Sequence, residues 1–206
     1  MANSTVVLIT GVGRDLRNRL AAAYLLRPNH IVIENVRDAK APKAQELTNL
    51  SIAEGSRLVL VSIENTSHHR CEKAAEDIEA AGLEHIDIII SNTAVPPSLA
   101  LLDIVDAEVM VKAFSINAVS CITIPGGVQV ARQVDRAQVD LRLEPSRFHR
   151  FVQTDMEMEA ARLGGIDKPP TTAHESTAKI IEVIDAATLE NTTGNLIDLI
   201  IGEEYP

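Results

Sequence analysis

The stretch VVLITGVGRDL at residues 6–16 decides the fold. Residues 6–10 form a short apolar and β-branched run, which is typical of a strand buried on both faces of a parallel sheet. Gly11 and Gly13 then predict a tight turn. Apolar residues at helical spacing indicate a helix over 15–26. A strand, a glycine turn and a helix in this order make the first half of a βαβ unit.

The same alternation continues through the first 120 residues. The pattern predicts further strands over 30–36, 57–63 and 86–90, and helices over 43–50, 67–81 and 105–117. Gly82 is placed to end the helix that precedes it. Strands that alternate with helices indicate a parallel sheet with helices on both faces. We therefore predict a Rossmann-like, doubly wound α/β fold of three layers.

The pattern weakens after Asn117. Residues 121–150 show no clear period, so we predict a shortened and rearranged segment there. A strand is predicted over 151–154 and a final strand over 195–201. Between them, Thr172 and Glu175 have the spacing of a capping box at the start of a helix over 172–188. The length of 206 residues suits one domain, with a dinucleotide-binding half (1–120), the rearranged segment and a C-terminal part (151–206).

Composition excludes several classes of partner. The net charge of −10 argues against nucleic acid and against an anionic membrane surface. No apolar segment has the length needed to span a bilayer, and the N-terminus does not resemble a signal peptide. Cys71 and Cys121 lack metal-ligand spacing, so we expect reduced thiols in the cytoplasm and no metal site. A small-molecule substrate is the remaining expectation.

The opening turn is the candidate ligand site. Ligands of open α/β sheets bind beyond the carboxyl ends of the strands. Gly11 and Gly13 would let backbone N–H groups approach an anion, helped by the dipole of the helix that follows. Arg37 follows the second strand, where an arginine suits the 2′-phosphate of NADP. The alternatives are a tight turn without a ligand and a solvated surface arginine.

Several segments resemble the short-chain dehydrogenase/reductase family, and within it the norsolorinic acid ketoreductase branch of fungal secondary metabolism. TGVGRDL at 10–16 resembles the family's TGxxRGIG turn, and FSINAV at 114–119 its asparagine-bearing helix. IDIIISNTAV at 86–95 resembles the strand that ends in NAG, and FVQTDM at 151–156 the PGxVxTDM segment. Residues 51–61 and 187–206 strengthen the similarity. The resemblance covers about residues 5–120 and 150–206.

The resemblance implies an NADP-dependent ketoreductase acting on a polyketide-like ketone. It implies that Asn117 belongs to the catalytic tetrad. It also implies a set of cofactor contacts with the phosphates, the adenosine and the nicotinamide, made by Gly11, Arg14, Leu16, Arg37, Glu64, Asn92, Val152 and Thr154.

The chain departs from the family pattern at the turn. Asp15 and Arg17 replace two glycines, and a carboxylate beside a pyrophosphate is repulsive. The NAG motif lacks its glycine and reads Asn92-Thr93-Ala94.

The larger departure concerns catalysis. The family uses a tyrosine to protonate the carbonyl oxygen and a lysine four positions later to lower the pKa of that tyrosine. Tyr24 and Tyr205 are the only tyrosines, and neither has a lysine at that spacing. Only 34 residues separate Asn117 from Val152.

Three explanations stay open at this point. The first is a non-redox enzyme that uses charged groups of the rearranged region, although alternating charges are usually solvated. The second is a non-catalytic dinucleotide-binding protein, in which a second copy covers exposed sheet edges and makes a homo-oligomer. The third is a faulty gene model over residues 121–150. The charged groups in question are Arg132, Asp135, Arg136, Asp140, His149 and Asp155.

Overall fold

A computed structural model describes most of the chain. The described residues are 4–11, 15–36, 47–95, 106–120, 123, 152–187, 196–197 and 204–205. The predicted helix over 43–50 lies partly outside them, and the rearranged segment 121–150 lies outside them except for Thr123.

Four parallel strands form the main sheet. They are β1 (Thr5–Thr10), β2 (His30–Asn35), β3 (Arg57–Val61) and β4 (Ile88–Ser91), in the spatial order β3-β2-β1-β4. Val7 of the central strand β1 is in register with Val32 of β2 on one side and with Ile88 of β4 on the other. Because all four strands are parallel, their carboxyl ends lie at one edge of the sheet, where ligands of such folds bind.

Five helices accompany the strands among the described residues. They are α1 (Asp15–Leu25), α2 (His68–Ala80), α3 (Ala107–Phe114), α4 (Asp155–Leu163) and α5 (Ala173–Ala186). A π-helical turn, Ser115–Val119, continues α3. Within the described part of the chain, no helix is both long enough and apolar enough to cross a membrane.

The two faces of the sheet carry separate cores, because successive side chains of a strand point to opposite faces. Val6 and Leu8 pack with α2, whereas Val7 and Ile9 pack with α1 and α5. Both faces are therefore covered by helices. The prediction of a three-layer, Rossmann-like α/β sheet is confirmed.

The helix ends follow local sequence signals. Ser67 caps α2 by accepting a hydrogen bond from the Arg70 N–H, and Gly82 follows that helix with a left-handed φ of 78°. Thr172 and Glu175 form the predicted capping box at the start of α5. Each cap satisfies backbone groups that the helix itself leaves without a partner.

One expectation for the C-terminal part needs correction. The segment predicted as a strand over 151–154 contributes a single parallel bridge, between Val152 and Thr171, and leads directly into α4. Of the final strand predicted over 195–201, the described residues form β5 (Leu196–Ile197), which pairs antiparallel with β6 (Glu204–Tyr205) in a separate two-stranded sheet.

Candidate functional site

Gly11 stands at the point where β1 ends and the chain turns. Its φ is 124°, a conformation that side chains other than hydrogen rarely adopt. An added Cβ would lie 2.7 Å from the carbonyl oxygen of Asn92 and 3.0 Å from the nitrogen of Thr93. Gly11 is thus pressed against the loop after β4. The close approach of two backbones explains the need for glycine here, and the predicted approach to an anion stays a prediction.

A chain of polar side chains joins the ends of all four strands. Thr93 donates to the hydroxyl of Thr10 over 3.2 Å, and Asn65 donates to the Thr93 hydroxyl. Asn35 donates to Asn65 over 3.1 Å and accepts from the Ile63 N–H over 3.0 Å. Because Thr10, Asn35 and Asn65 are all buried, these bonds hold the carboxyl edge in one arrangement.

The side chain of Asn117 forms hydrogen bonds with the backbone of the loop that follows β4. Its Oδ1 accepts from the Val95 N–H over 2.9 Å, and its Nδ2 donates to the Val95 carbonyl oxygen over 3.0 Å. The residue lies in the π-helical turn after α3. Such turns are frequent at functional sites. In this structure the side chain of Asn117 positions backbone at the carboxyl edge.

We expect Asn117→Ala to lower the free energy of unfolding by about 2 kcal/mol, because two backbone groups of Val95 lose their partners. Urea denaturation measures this loss. Asn117→Asp is the matched control: it keeps an acceptor for the Val95 N–H but removes the donor, so its loss should be smaller than that of the alanine variant. Equal stability of wild type and Asn117→Ala would contradict the role.

A buried arginine and a buried glutamate lie side by side next to Gly11. Arg17 Nη1 donates to the Gly11 carbonyl oxygen over 2.8 Å and to the Asn35 carbonyl oxygen over 3.1 Å. Arg17 Nε lies 3.3 Å from Glu34 Oε2, and Glu34 is fully buried. Burial raises the pKa of Glu34 to about 8, although the Arg17 charge opposes this shift. From the sequence, Arg17 stands out only as a departure from the family's glycine, and Glu34 was not predicted as a site residue.

Among the described residues, the other predicted cofactor contacts have different surroundings. Asn92 is buried directly after β4, beside Gly11. Leu16 lies in the first turn of α1, but its side chain belongs to the core between the sheet and α1. Glu64 is exposed on the loop after β3 and pairs with Arg70 at 3.5 Å. Arg14, like Arg37, lies outside the described residues.

Val152 and Thr154 perform structural roles at the start of α4. The buried Val152 donates its N–H to the Glu157 carboxylate, and the Thr154 hydroxyl accepts from the Glu157 N–H over 3.4 Å. Burial raises the pKa of Glu157 above its usual range. These contacts fix the entry into α4. The predicted nicotinamide contact of Val152 and Thr154 stays a prediction.

Tyr24 is remote from the carboxyl edge. It lies near the C-terminus of α1, fully buried in the core between the sheet and α5. Asp155 lies exposed in the first turn of α4, and the other charged candidates of the rearranged segment lie outside the described residues. The described residues contain no group of three or more metal-ligating side chains close enough to hold an ion.

Curated relatives of this chain are fungal short-chain dehydrogenases and ketoreductases. The short-chain dehydrogenase srdF of Neurospora crassa is 31% identical over an alignment of 252 positions, which covers 100% of this chain and 99% of the relative. The norsolorinic acid ketoreductase of Aspergillus parasiticus is 27% identical, in an alignment that covers 98% of this chain and 91% of the ketoreductase. The short-chain dehydrogenase RED3 of Pyricularia oryzae is 48% identical over a shorter stretch, 47% of this chain and 38% of the relative. No family model matches the chain.

Solved structures share the fold. A carbonyl reductase from chicken fatty liver, solved with NADPH, superposes with a TM-score of 0.75 at 16% identity, covering 98% of this chain and 99% of its own. A 3-oxoacyl-[acyl-carrier protein] reductase from Brucella melitensis, in complex with NAD, gives a TM-score of 0.66 at 15% identity, covering 89% and 91%. At these identities the likeness concerns the fold alone.

The alignment with the Neurospora protein runs over 252 positions, whereas this chain has 206 residues, so 46 positions carry residues of the relative alone. Both chains are nevertheless matched from end to end. At 31% identity over that whole length, this chain belongs to the short-chain dehydrogenase/reductase family.

Proposed function

We propose that this chain binds NADP(H) at the carboxyl edge of its sheet and belongs functionally to the ketoreductases of fungal secondary metabolism, with a polyketide-like ketone as substrate. The observation that carries the proposal is the close approach of Gly11 to the peptide between Asn92 and Thr93. Family relatives with ketoreductase names, matched over nearly their whole length, support the same reading.

The residues present suit the dinucleotide at this edge. Gly11 lets the end of β1 lie directly against the peptide between Asn92 and Thr93, and the dipole at the start of α1 favours a phosphate. Asn92 offers polar groups next to that surface. Arg14 and Arg37 would face the 2′-phosphate, Glu64 the adenine, and Val152 with Thr154 the nicotinamide. The bound cofactor would supply the hydride, and the chain would hold it in place.

A second candidate, dinucleotide binding without reduction, is favoured by one observation. No tyrosine of the sequence has a lysine four positions later, so the family's usual proton donor for a carbonyl oxygen is absent. Only 34 residues lie between Asn117 and Val152, which favours a shortened central segment. We place either activity in the cytoplasm, in a homo-oligomer.

NADPH is expected to raise the melting temperature of the purified protein. A ligand that binds only the folded state stabilises it by about 2.7 kcal/mol at a hundredfold excess over its dissociation constant. The measurement is thermal unfolding across an NADPH series, with 2′-phosphate-free NADH as the comparison. No shift at millimolar NADPH would reject the proposal.

Reduction is measured separately, as loss of NADPH absorbance with a panel of aromatic polyketide ketones. Turnover would support the ketoreductase function. NADPH binding without turnover would support dinucleotide binding without reduction. A ketoreductase of the same family that retains Tyr-x-x-x-Lys serves as the positive control for the panel.

A further inference from the structure

Helix α3 exposes most of its apolar side chains. Among the described residues, half of the large apolar side chains that are exposed belong to α3 and to the π-helical turn that continues it. Phe114 is 66% exposed and Val111 is 65% exposed, whereas Ala113 alone is buried among the 8 residues of α3. A helix this apolar usually packs against another element, and a contiguous exposed apolar patch is typical of an interface between proteins. The exposed side chains are Val109, Met110, Val111, Phe114 and Val119.

Four exposed residues form one stripe along this helix, which we call the α3 stripe. Its members have the i, i+3, i+4, i+7 spacing that places side chains on one face of a helix. The buried Ala113 lies outside the stripe. The stripe therefore has the shape and composition that pack against a second helix. Its members are Ala107, Met110, Val111 and Phe114.

Two opposite charges flank the α3 stripe. Glu108 lies in the first turn of α3 and Lys112 in its last turn, and both are exposed. Because they are four residues apart, they lie on the same flank of the helix. When two such helices pack antiparallel about a two-fold axis near Met110, Glu108 of each copy lies opposite the partner's Lys112. In a parallel pair like charges would meet instead. The flank is thus complementary to itself in the antiparallel arrangement.

We propose that two copies of this chain associate through the α3 stripe, with their α3 helices antiparallel about a two-fold axis. A second copy is the occupant that the charges favour, because each copy supplies the acid that the partner's lysine needs. This inference rests on the homo-oligomer named in the proposed function and gives that assembly a surface. It does not depend on dinucleotide binding.

The apolar contact is tested by sedimentation velocity across a concentration series, which measures the dissociation constant of the dimer. Phe114→Asp places a charge in the α3 stripe and is expected to raise that constant at least tenfold. Leu163→Asp is the matched control, since Leu163 is a 56% exposed leucine of α4 outside the stripe. The control should leave the constant within twofold of wild type. Circular dichroism checks that both variants are folded, as expected for substitutions at exposed positions.

The charge pattern is tested by exchanging the two flanking residues. Glu108→Lys alone and Lys112→Glu alone should each raise the dissociation constant about tenfold, because like charges then meet twice across the axis. The double variant Glu108→Lys/Lys112→Glu restores opposite charges and should return the constant to within threefold of wild type. An equimolar mixture of the two single variants should form a mixed dimer, since two lysines of one copy then face two glutamates of the other.

A wild-type protein that stays monomeric at every concentration would overturn the inference, and so would a dimer that Phe114→Asp leaves intact. Failure of both the double variant and the mixture to associate better than the single variants would overturn it as well. The NADPH melting series distinguishes this inference from the proposed function. A monomer that binds NADPH would reject only the α3 interface, and a dimer that does not bind NADPH would reject only the proposed dinucleotide binding.

Discussion

Gly11→Ala is expected to lower the free energy of unfolding by about 3 kcal/mol or more, the largest effect of any single methyl group at the carboxyl edge. The new Cβ would lie 2.7 Å from the Asn92 carbonyl oxygen and 2.8 Å from its carbon, and both atoms belong to backbone that cannot rotate away. The φ of 124° adds strain to the clash. Urea denaturation measures the loss.

Gly82→Ala is the matched control for this prediction. Gly82 also has a left-handed φ, 78°, but an added Cβ there meets nothing within 4 Å. Gly82→Ala should therefore lower the free energy of unfolding only through the unfavourable φ, by about 1 kcal/mol. Similar losses at the two positions would show that Gly11 does not press against the loop after β4. NADPH affinity should fall in the Gly11 variant and remain unchanged in the Gly82 variant.

Glu34→Gln is expected to remove a pH dependence of stability on the order of 4 kcal/mol between pH 5 and pH 8. The pKa of Glu34 is raised to about 8 in the folded protein, from 4.5 as the ordinary value. Between those values the folded state keeps a proton that the unfolded chain releases. The free energy of unfolding contributed by this group therefore falls as pH rises, by about 1.4 kcal/mol per pH unit.

Urea denaturation at pH 5, 6, 7 and 8 tests this prediction in wild type and variant. The two proteins should be similar at pH 5, where Glu34 is neutral, and the glutamine variant should be the more stable at pH 8. Glu54→Gln changes an exposed carboxylate and should leave the wild-type profile in place. Parallel curves for wild type and Glu34→Gln would contradict the buried, protonated state of Glu34.

The sheet was predictable because its strands have strong local signals. The apolar runs that became β1, β2 and β3 end at turn residues, and the alternation with helices leaves few arrangements to consider. Thr172 with Glu175 predicted the start of α5 correctly. Helix α4 was not predicted, although Thr154 and Glu157 have the same capping spacing as Thr172 and Glu175.

The candidate site was predictable only in part. Gly11 and Asn117 were identified from motifs, and the contacts of each explain the residue type. The Arg17–Glu34 pair was not identified, since it joins residues of different elements and neither has a local pattern. One signal was present: Glu34 ends an apolar strand run, and an acid in a doubly covered strand needs a partner.

The buried pair next to Gly11 also constrains how this sequence can change over generations. Arg17 exchanged alone would leave Glu34 as a sealed acid among strand carbonyls. A neutral residue at position 34 removes that cost, because Arg17 still donates to the carbonyl oxygens of Gly11 and Asn35. In a lineage that loses the pair, substitution at position 34 should therefore precede substitution at position 17.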